Sequence, residues 1–140
     1  LNWDPRWGVA SPEEIQARKQ AVREVLPLVH LAHGNARELK EFTGAPDLDQ
    51  ALRRLEDWGV QAVGVHLGAA GAGYYHRGQL IVEPPAPAAR HVNTTGTGDV
   101  LSVCLMLLHQ QPDRSAQLRL ANRIVTEFIE GKRQSIPALD

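Results

Sequence analysis

The stretch HVNTTGTGDVLSV, His91 to Val103, sets two glycines among small hydroxyl residues, then one aspartate, then an apolar run. The run that begins at Asp99 predicts a helix over 99–111. The first turn of a helix has N–H groups without helical partners and a partial positive charge. Gly96 and Gly98 keep that backbone bare, so a ligand can come close to it. A turn of this kind cradles an anion, most often a phosphate. It is not the lysine-bearing phosphate loop, because no Gly-Lys-Ser/Thr follows at the required spacing. An aspartate, Asp99, stands where a lysine would be expected. A carboxylate repels a bound phosphate unless it has another use there, such as taking the proton of a hydroxyl that attacks the phosphorus. The plainer reading makes Asp99 a cap of the helix or a complement to its N-terminus. On these thirteen residues alone the two readings stand level.

Working outward, the chain alternates helices and strands. Residues 11–28 predict a helix: Ser11 suits the N-cap, Pro12 the first position, and Glu14 closes a capping box. A short apolar run over 28–33 predicts a strand. Residues 36–44 predict a helix stopped by Gly44. Residues 47–59 predict an amphipathic helix with Leu48, Leu52, Leu55 and Trp58 on one face. Residues 60–68 predict a buried strand, and 71–83 a hairpin turning at Arg77-Gly78. The proline-rich segment 84–90 must be extended. A last helix is predicted over 115–131. Alternation of this kind implies an α/β domain with a mostly parallel sheet.

Composition narrows the field. The chain has 140 residues, one domain's worth, with 15 basic against 16 acidic side chains. That balance gives no electrostatic footprint for nucleic acid or a membrane surface. Cys104 is the only cysteine, which excludes an intrachain disulfide and suits a reducing cytoplasm. It falls in an apolar helix and reads as core. The longest apolar stretch, VLSVCLMLL, is too short to span a bilayer. His30 and His33 do not suit a metal pair, because their spacing fits neither strand face nor a complete ligand set. Tyr74 and Tyr75 read as hairpin packing.

Five segments, in order, carry a resemblance to the ribokinase-like (pfkB-type) carbohydrate kinases. TTGTGD resembles that family's Asp-Thr-Thr-Gly-Ala-Gly-Asp signature, and LNWDPRWGV its Asp-Pro-Asn-x-Arg strand. GNARELKEFTG carries its Asn-x-x-Glu at Asn35 and Glu38. VGVHLGAAGAGYY resembles its Thr-Leu-Gly-x-x-Gly turn at Gly68 and Gly71, and LAN its Ala-Asn near the nucleotide. The resemblance implies a three-layer α/β/α sandwich, of which residues 1–140 would be the C-terminal, nucleotide-binding part. It implies ATP and magnesium as cofactors and a small hydroxyl-bearing substrate. Asp99 would be the general base, and Gly96, Thr97 and Gly98 the anion hole. Asn35 and Glu38 would position magnesium-bound water, Gly68 and Gly71 would border the nucleotide, and Asn122 would lie near the adenine. Taken alone, Asn35 and Glu38 read as a helix cap, Gly68 and Gly71 as turn glycines, and Asn122 as a surface residue.

The departures from the family pattern have consequences too. Asn93 stands where the family has an aspartate that helps hold a monovalent cation, so cation activation is not implied. His66 replaces a threonine before Leu-Gly, Thr97 an alanine, and Leu101 a phenylalanine; Arg6 follows Pro5 directly. Members are about twice this length, and the half that carries the sugar contacts and a β-sheet lid has no counterpart here. The expected function is ATP-dependent phosphoryl transfer to a sugar-like molecule, with the isolated chain an incomplete, inactive part. The partner would be the remaining half of the fold or a second copy. The alternative is a catalytically inactive half that binds nucleotide or a partner chain.

Overall fold

The structure, a computed structural model, describes residues 11–91 and 94–132. The DPR segment at the start of the chain and Asn93 therefore lie outside the described residues. Helix α1, Pro12–Val25, opens with the capping box expected at Ser11 and Glu14. Strand β1, Ala32–Asn35, leads into α2, Ala36–Thr43, which ends at Gly44, and α3, Leu48–Asp57, follows under an Asp47 cap. Strands β2, Ala62–His66, β3, Ala72–His76, and β4, Gln79–Glu83, complete the sheet. Residues 84–91 run without regular structure to α4, Thr97–Leu107, and α5, Arg114–Ile129, ends the described chain.

The four strands lie in chain order, β1-β2-β3-β4. Only β1 and β2 are parallel; β2–β3 and β3–β4 are antiparallel. The described sheet is thus mixed rather than mostly parallel. The causes are local: the 3₁₀ turn Gly68–Ala70, closed by Gly71 at φ 97°, folds β3 back on β2, and Arg77 and Gly78, both at positive φ (48° and 74°), fold β4 back on β3. The first strand also starts later than expected, at Ala32, because Leu26–Leu28 around Pro27 forms a 3₁₀ turn that uses up the first apolar residues.

Two cores sandwich the sheet. On one face Leu39, Phe42, Leu52 and Leu55 of α2 and α3 pack on Val63, Val65 and Tyr75. On the other, Leu101, Cys104, Leu105, Leu118 and Ala121 of α4 and α5 pack around Ala72, with Tyr74 and Ile81 against them. The alternation of strand side chains explains the division: Val63 and Val65 face one layer, while Gly64 between them faces the other, against Leu105. Cys104 is buried in the second core, as its setting in the sequence implied. Helix α1 contributes no buried residue, and Val25 and Leu28 are 53% and 79% exposed. Beside them, along the edge of β1 that pairs with no described strand, runs a groove of about 650 Å³ whose lining includes Val22, Leu26, Val29 and Ala32.

Candidate functional site

The start of α4 is built by Gly96. Its φ of 81° and ψ of 4° turn the chain in a left-handed conformation that suits glycine, and the helix begins at the next residue. Thr97 Oγ1 donates to the Thr94 carbonyl at 3.1 Å and fixes the turn. The first bond of the helical ladder runs from the Val100 N–H to the Gly96 carbonyl at 3.0 Å. The amides of Thr97, Gly98 and Asp99 precede it and have no partner in the ladder, and no side chain caps this helix.

These residues form a cleft of about 240 Å³ with the carboxyl ends of β1 and β2, the place where α/β sheets present ligand sites. Asn35, the last residue of β1, pairs in register with His66, the last of β2. Asn35 also caps α2: its Oδ1 accepts the Glu38 N–H at 2.9 Å, and Glu38 Oε2 accepts the Asn35 N–H at 2.8 Å. The capping reading of this pair is therefore realised, and the pair still lines the cleft with Asp99, His33 and His66. The imidazoles flank the helix start closely. A Cβ placed on Gly98 would lie 3.7 Å from His33 Cε1 and 4.0 Å from His66 Nδ1.

Electrostatics follow from burial. Removal from water holds His33 down at about 4, a shift reinforced by the nearby His66 ring and opposed by Asp99. Its Nε2 is buried with no hydrogen-bond partner among the described residues. Burial also lowers His66, against the pull of Glu38. Both rings are thus uncharged at neutral pH. The positive end of α4 and two carboxylates, Asp99 and Glu38, set the field in the cleft.

A second cavity, of about 610 Å³, adjoins the first through His66 and Thr97. Gly68 and Ala69 lie on one side, Pro85 to Ala88 on another, and Thr126 and Ile129 of α5 behind. Its lining is largely apolar side chains and backbone, the character of a pocket for a flat organic group. A further cavity of about 500 Å³, lined by His30, Tyr74, His76 and Arg114, the first residue of α5, lies at the opposite end of the parallel strands.

The structure gathers Asn35, Glu38, Gly96, Thr97, Gly98 and Asp99 in one cleft and puts Gly68 on the wall of the next. Gly71 and Asn122 line neither. Gly71 has φ 97° and ψ −133°, and a Cβ there would meet the Glu83 carbonyl oxygen at 2.1 Å, so chain packing alone requires glycine. Asn122 is 6% exposed and spends its amide on the carbonyls of Glu83 and Pro84, at 2.9 and 2.8 Å. Sequence reasoning did not place His33 in the site. A signal was present: His33 stands two residues before Asn35 on a strand, and such residues share a face. Among the described residues no group of three or more His, Cys, Asp or Glu is placed to hold a metal directly.

An α/β sandwich with a bare helix N-terminus at the carboxyl ends of its parallel strands, beside an apolar cavity, defines a class of phosphate-ligand domains. Comparison narrows it: the chain belongs to the pfkB family of carbohydrate kinases, whose model matches residues 7–124. The chain is 32% identical over 85 residues to the ribokinase of Arabidopsis thaliana, a match covering 56% of this chain and 22% of that one. It is 33% identical over 92 residues to the cytidine kinase of Thermococcus kodakarensis, covering 64% and 33%. In three dimensions it superposes on Arabidopsis ribokinase complexed with ribose and ATP with a TM-score of 0.72 at 26% identity, over 81% of this chain and 38% of that one. A putative ribokinase II from E. coli, in complex with ATP and Mg²⁺, superposes with a TM-score of 0.73 at 23% identity, which bears on the fold. The matched region is thus about a fifth to two fifths of these relatives' length. Among the described residues no helix is long and apolar enough to cross a membrane.

Proposed function

We propose that this chain is the nucleotide-binding part of a kinase that transfers a phosphoryl group from ATP to a hydroxyl of a sugar-like molecule. The observation that carries the reading is the meeting of three ladder-free amides with the Asp99 carboxylate in one cleft. The nucleoside of ATP occupies the apolar cavity beside Gly68, and its phosphates run past His66 and Thr97 to the start of α4. Asp99 accepts the proton of the substrate hydroxyl as its oxygen attacks the γ-phosphorus. The bond to the β-phosphate oxygen breaks, and ADP leaves. The amides of Thr97, Gly98 and Asp99 face the charge that builds on the transferring group. Glu38, oriented by its bond to the Asn35 amide, keeps Oε1 without a hydrogen-bond partner among the described residues, able to hold a magnesium-bound water. Magnesium, when bound, neutralises phosphate charge.

The acceptor sugar is held by a further half of the fold, seated on the apolar groove beside α1, next to the edge of β1 that pairs with no described strand. Holding the acceptor in line supplies about 7–11 kcal/mol of the barrier, so the 140-residue chain alone shows no measurable sugar kinase activity. The test is Asp99→Asn. Asparagine keeps the size of aspartate at this third position of α4, where no side chain caps the helix, but takes no proton. ATP affinity of the chain, read by titration calorimetry, stays equal or rises as repulsion is relieved. In the enzyme complete with its sugar-binding half, kcat falls about 10²–10⁴-fold, and turnover within about threefold of wild type refutes the base assignment.

A further inference from the structure

The proline-rich segment between β4 and α4 is held by one edge of α5. Asn122, Thr126 and Glu130 are spaced four residues apart, so they stack on one helix face, and all three are nearly buried (6%, 7% and 4% exposed). Each bonds the backbone of the segment in turn. Asn122 Nδ2 donates to the Glu83 and Pro84 carbonyls, and Thr126 Oγ1 donates to the Ala86 carbonyl at 3.0 Å. Glu130 Oε1 accepts the Ala89 N–H at 2.7 Å, and the Glu130 carbonyl accepts from Arg90 Nε at 3.1 Å. Lys132 Nζ, 2.6 Å from Glu130 Oε2, holds the carboxylate in place. Pro84, Pro85 and Pro87 have no N–H and cannot join a β-ladder, so the segment takes its position from the helix.

We infer that Asn122, Thr126 and Glu130 form a positioning ladder which sets the distance between the 84–90 segment and the rest of the 610 Å³ cavity, and so sets affinity for the nucleoside part of ATP. The inference rests on the reading of that cavity as the nucleoside pocket. Pro85 to Ala88 make one wall, and Thr126 and Ile129 stand behind it. Asn122 and Glu130 do not line the cavity, so they act on a ligand only through the segment they hold. Affinity for a bare phosphate group, bound at the start of α4, is independent of them.

The experiment compares ATP and pyrophosphate, titrated calorimetrically into the full chain and into Asn122→Leu, Glu130→Met and Glu130→Gln. Glutamine keeps the acceptor for the Ala89 amide and is the conservative control. Hydrogen exchange at the Ala89 and Arg90 amides reports the segment directly. The ladder predicts that Asn122→Leu and Glu130→Met weaken ATP about tenfold, the equivalent of one net hydrogen bond. Pyrophosphate affinity stays at the wild-type value, exchange quickens in the same two variants, and Glu130→Gln, which keeps one acceptor oxygen but loses the Lys132 ion pair, lies between wild type and Glu130→Met in both readouts. Should Asn122→Leu not fold, Glu130→Met against Glu130→Gln decides. Faster exchange with unchanged ATP affinity overturns the positioning role. A parallel loss of ATP and pyrophosphate overturns it too, as general damage. If the wild-type chain binds pyrophosphate but not ATP, the nucleoside reading of the cavity has failed, and the inference falls with it. A wild-type chain that binds ATP as tightly as its variants fails the inference alone.

Discussion

Replacing Gly71 by alanine tests the packing of the segment's anchor point. The added Cβ would lie 2.1 Å from the Glu83 carbonyl oxygen and 2.8 Å from both the Pro84 carbonyl carbon and the Pro85 nitrogen. An unstrained carbon–oxygen contact is about 3.3 Å, so the end of β4 must retreat by about 1.2 Å. Every atom in the way is backbone, and no side chain can swing aside to absorb the change. The retreat also pulls the Glu83 carbonyl from Asn122. Overpacking of this kind costs about 1–3 kcal/mol, and the φ of 97° and ψ of −133° add about 1–3 kcal/mol for a residue with a side chain. The sum, about 4 kcal/mol, is a large part of a typical domain's stability of about 5–15 kcal/mol. Gly68→Ala is the control. Its φ is 58° and nothing lies within 4 Å of the added carbon, so it costs only the left-handed penalty of about 1 kcal/mol. Urea unfolding followed by circular dichroism reads the difference. At a slope of about 1–3 kcal/mol per molar, Gly71→Ala lowers the midpoint by about 2 M relative to wild type. Equal midpoints for the two alanine variants would show that the close approach at Gly71 is not what demands glycine.

Gly98→Ala separates folding from anion binding: the new Cβ meets only ordinary contacts at 3.7 and 4.0 Å, so stability holds or rises by about 0.5–1 kcal/mol, while pyrophosphate affinity drops; unchanged pyrophosphate affinity would remove Gly98 from the anion site. His33 gives an acid-side signature. Its folded value of about 4 lies below the ordinary 6.5, so the unfolded chain takes up a proton first, and stability is lost as pH falls from 6.5 toward 4. His33→Gln flattens that part of a pH series of urea midpoints, and an unchanged slope would contradict the burial account. Tyr75 gives the alkaline counterpart. Burial, with the bond of its hydroxyl to Glu56 Oε2 at 2.6 Å, pushes the phenol up to about 12, so stability present below pH 10 is lost as pH rises from 10 toward 12. Tyr75→Phe abolishes that loss, and a wild-type midpoint flat across the same window would refute the assignment.

The legible parts of the chain were those with local causes. Caps at Ser11 and Asn35 and the turn at Arg77-Gly78 are short-range chemistry, and they fall where the sequence puts them. The α4 start was legible because two glycines and a lone aspartate before an apolar run have few other uses. What failed to show were facts of the third dimension. The sheet reads as parallel from its alternating helices and strands, but two successive reversals, at residues 68–71 and at Arg77-Gly78, make two of its three described pairings antiparallel. Gly71 and Asn122 carry a family pattern, yet both touch the same stretch of backbone at Glu83 and Pro84, a meeting across tens of residues that no spacing announces. His33 was weighed as a metal partner of His30; the register that pairs it with Gly64 sets it beside Gly98 instead.

The strand order has a consequence for how the chain acquires its shape. Every described strand pairs with its neighbour in sequence, so the sheet can assemble from one end to the other as the chain is made, without waiting for a distant segment to return. The longest of these connections is the β1–β2 crossover through α2 and α3, and the two that follow are tight turns; topologies of lower contact order fold faster. The start of α4 and the whole of α5 come after the last strand. A ribosome that stalled after residue 91 would leave a sheet with α2 and α3 on one face and its other face bare, with none of the amides that line the cleft. The layer that completes the fold is the same layer that brings the anion site, so in this chain burial of the second core and appearance of the site are a single event.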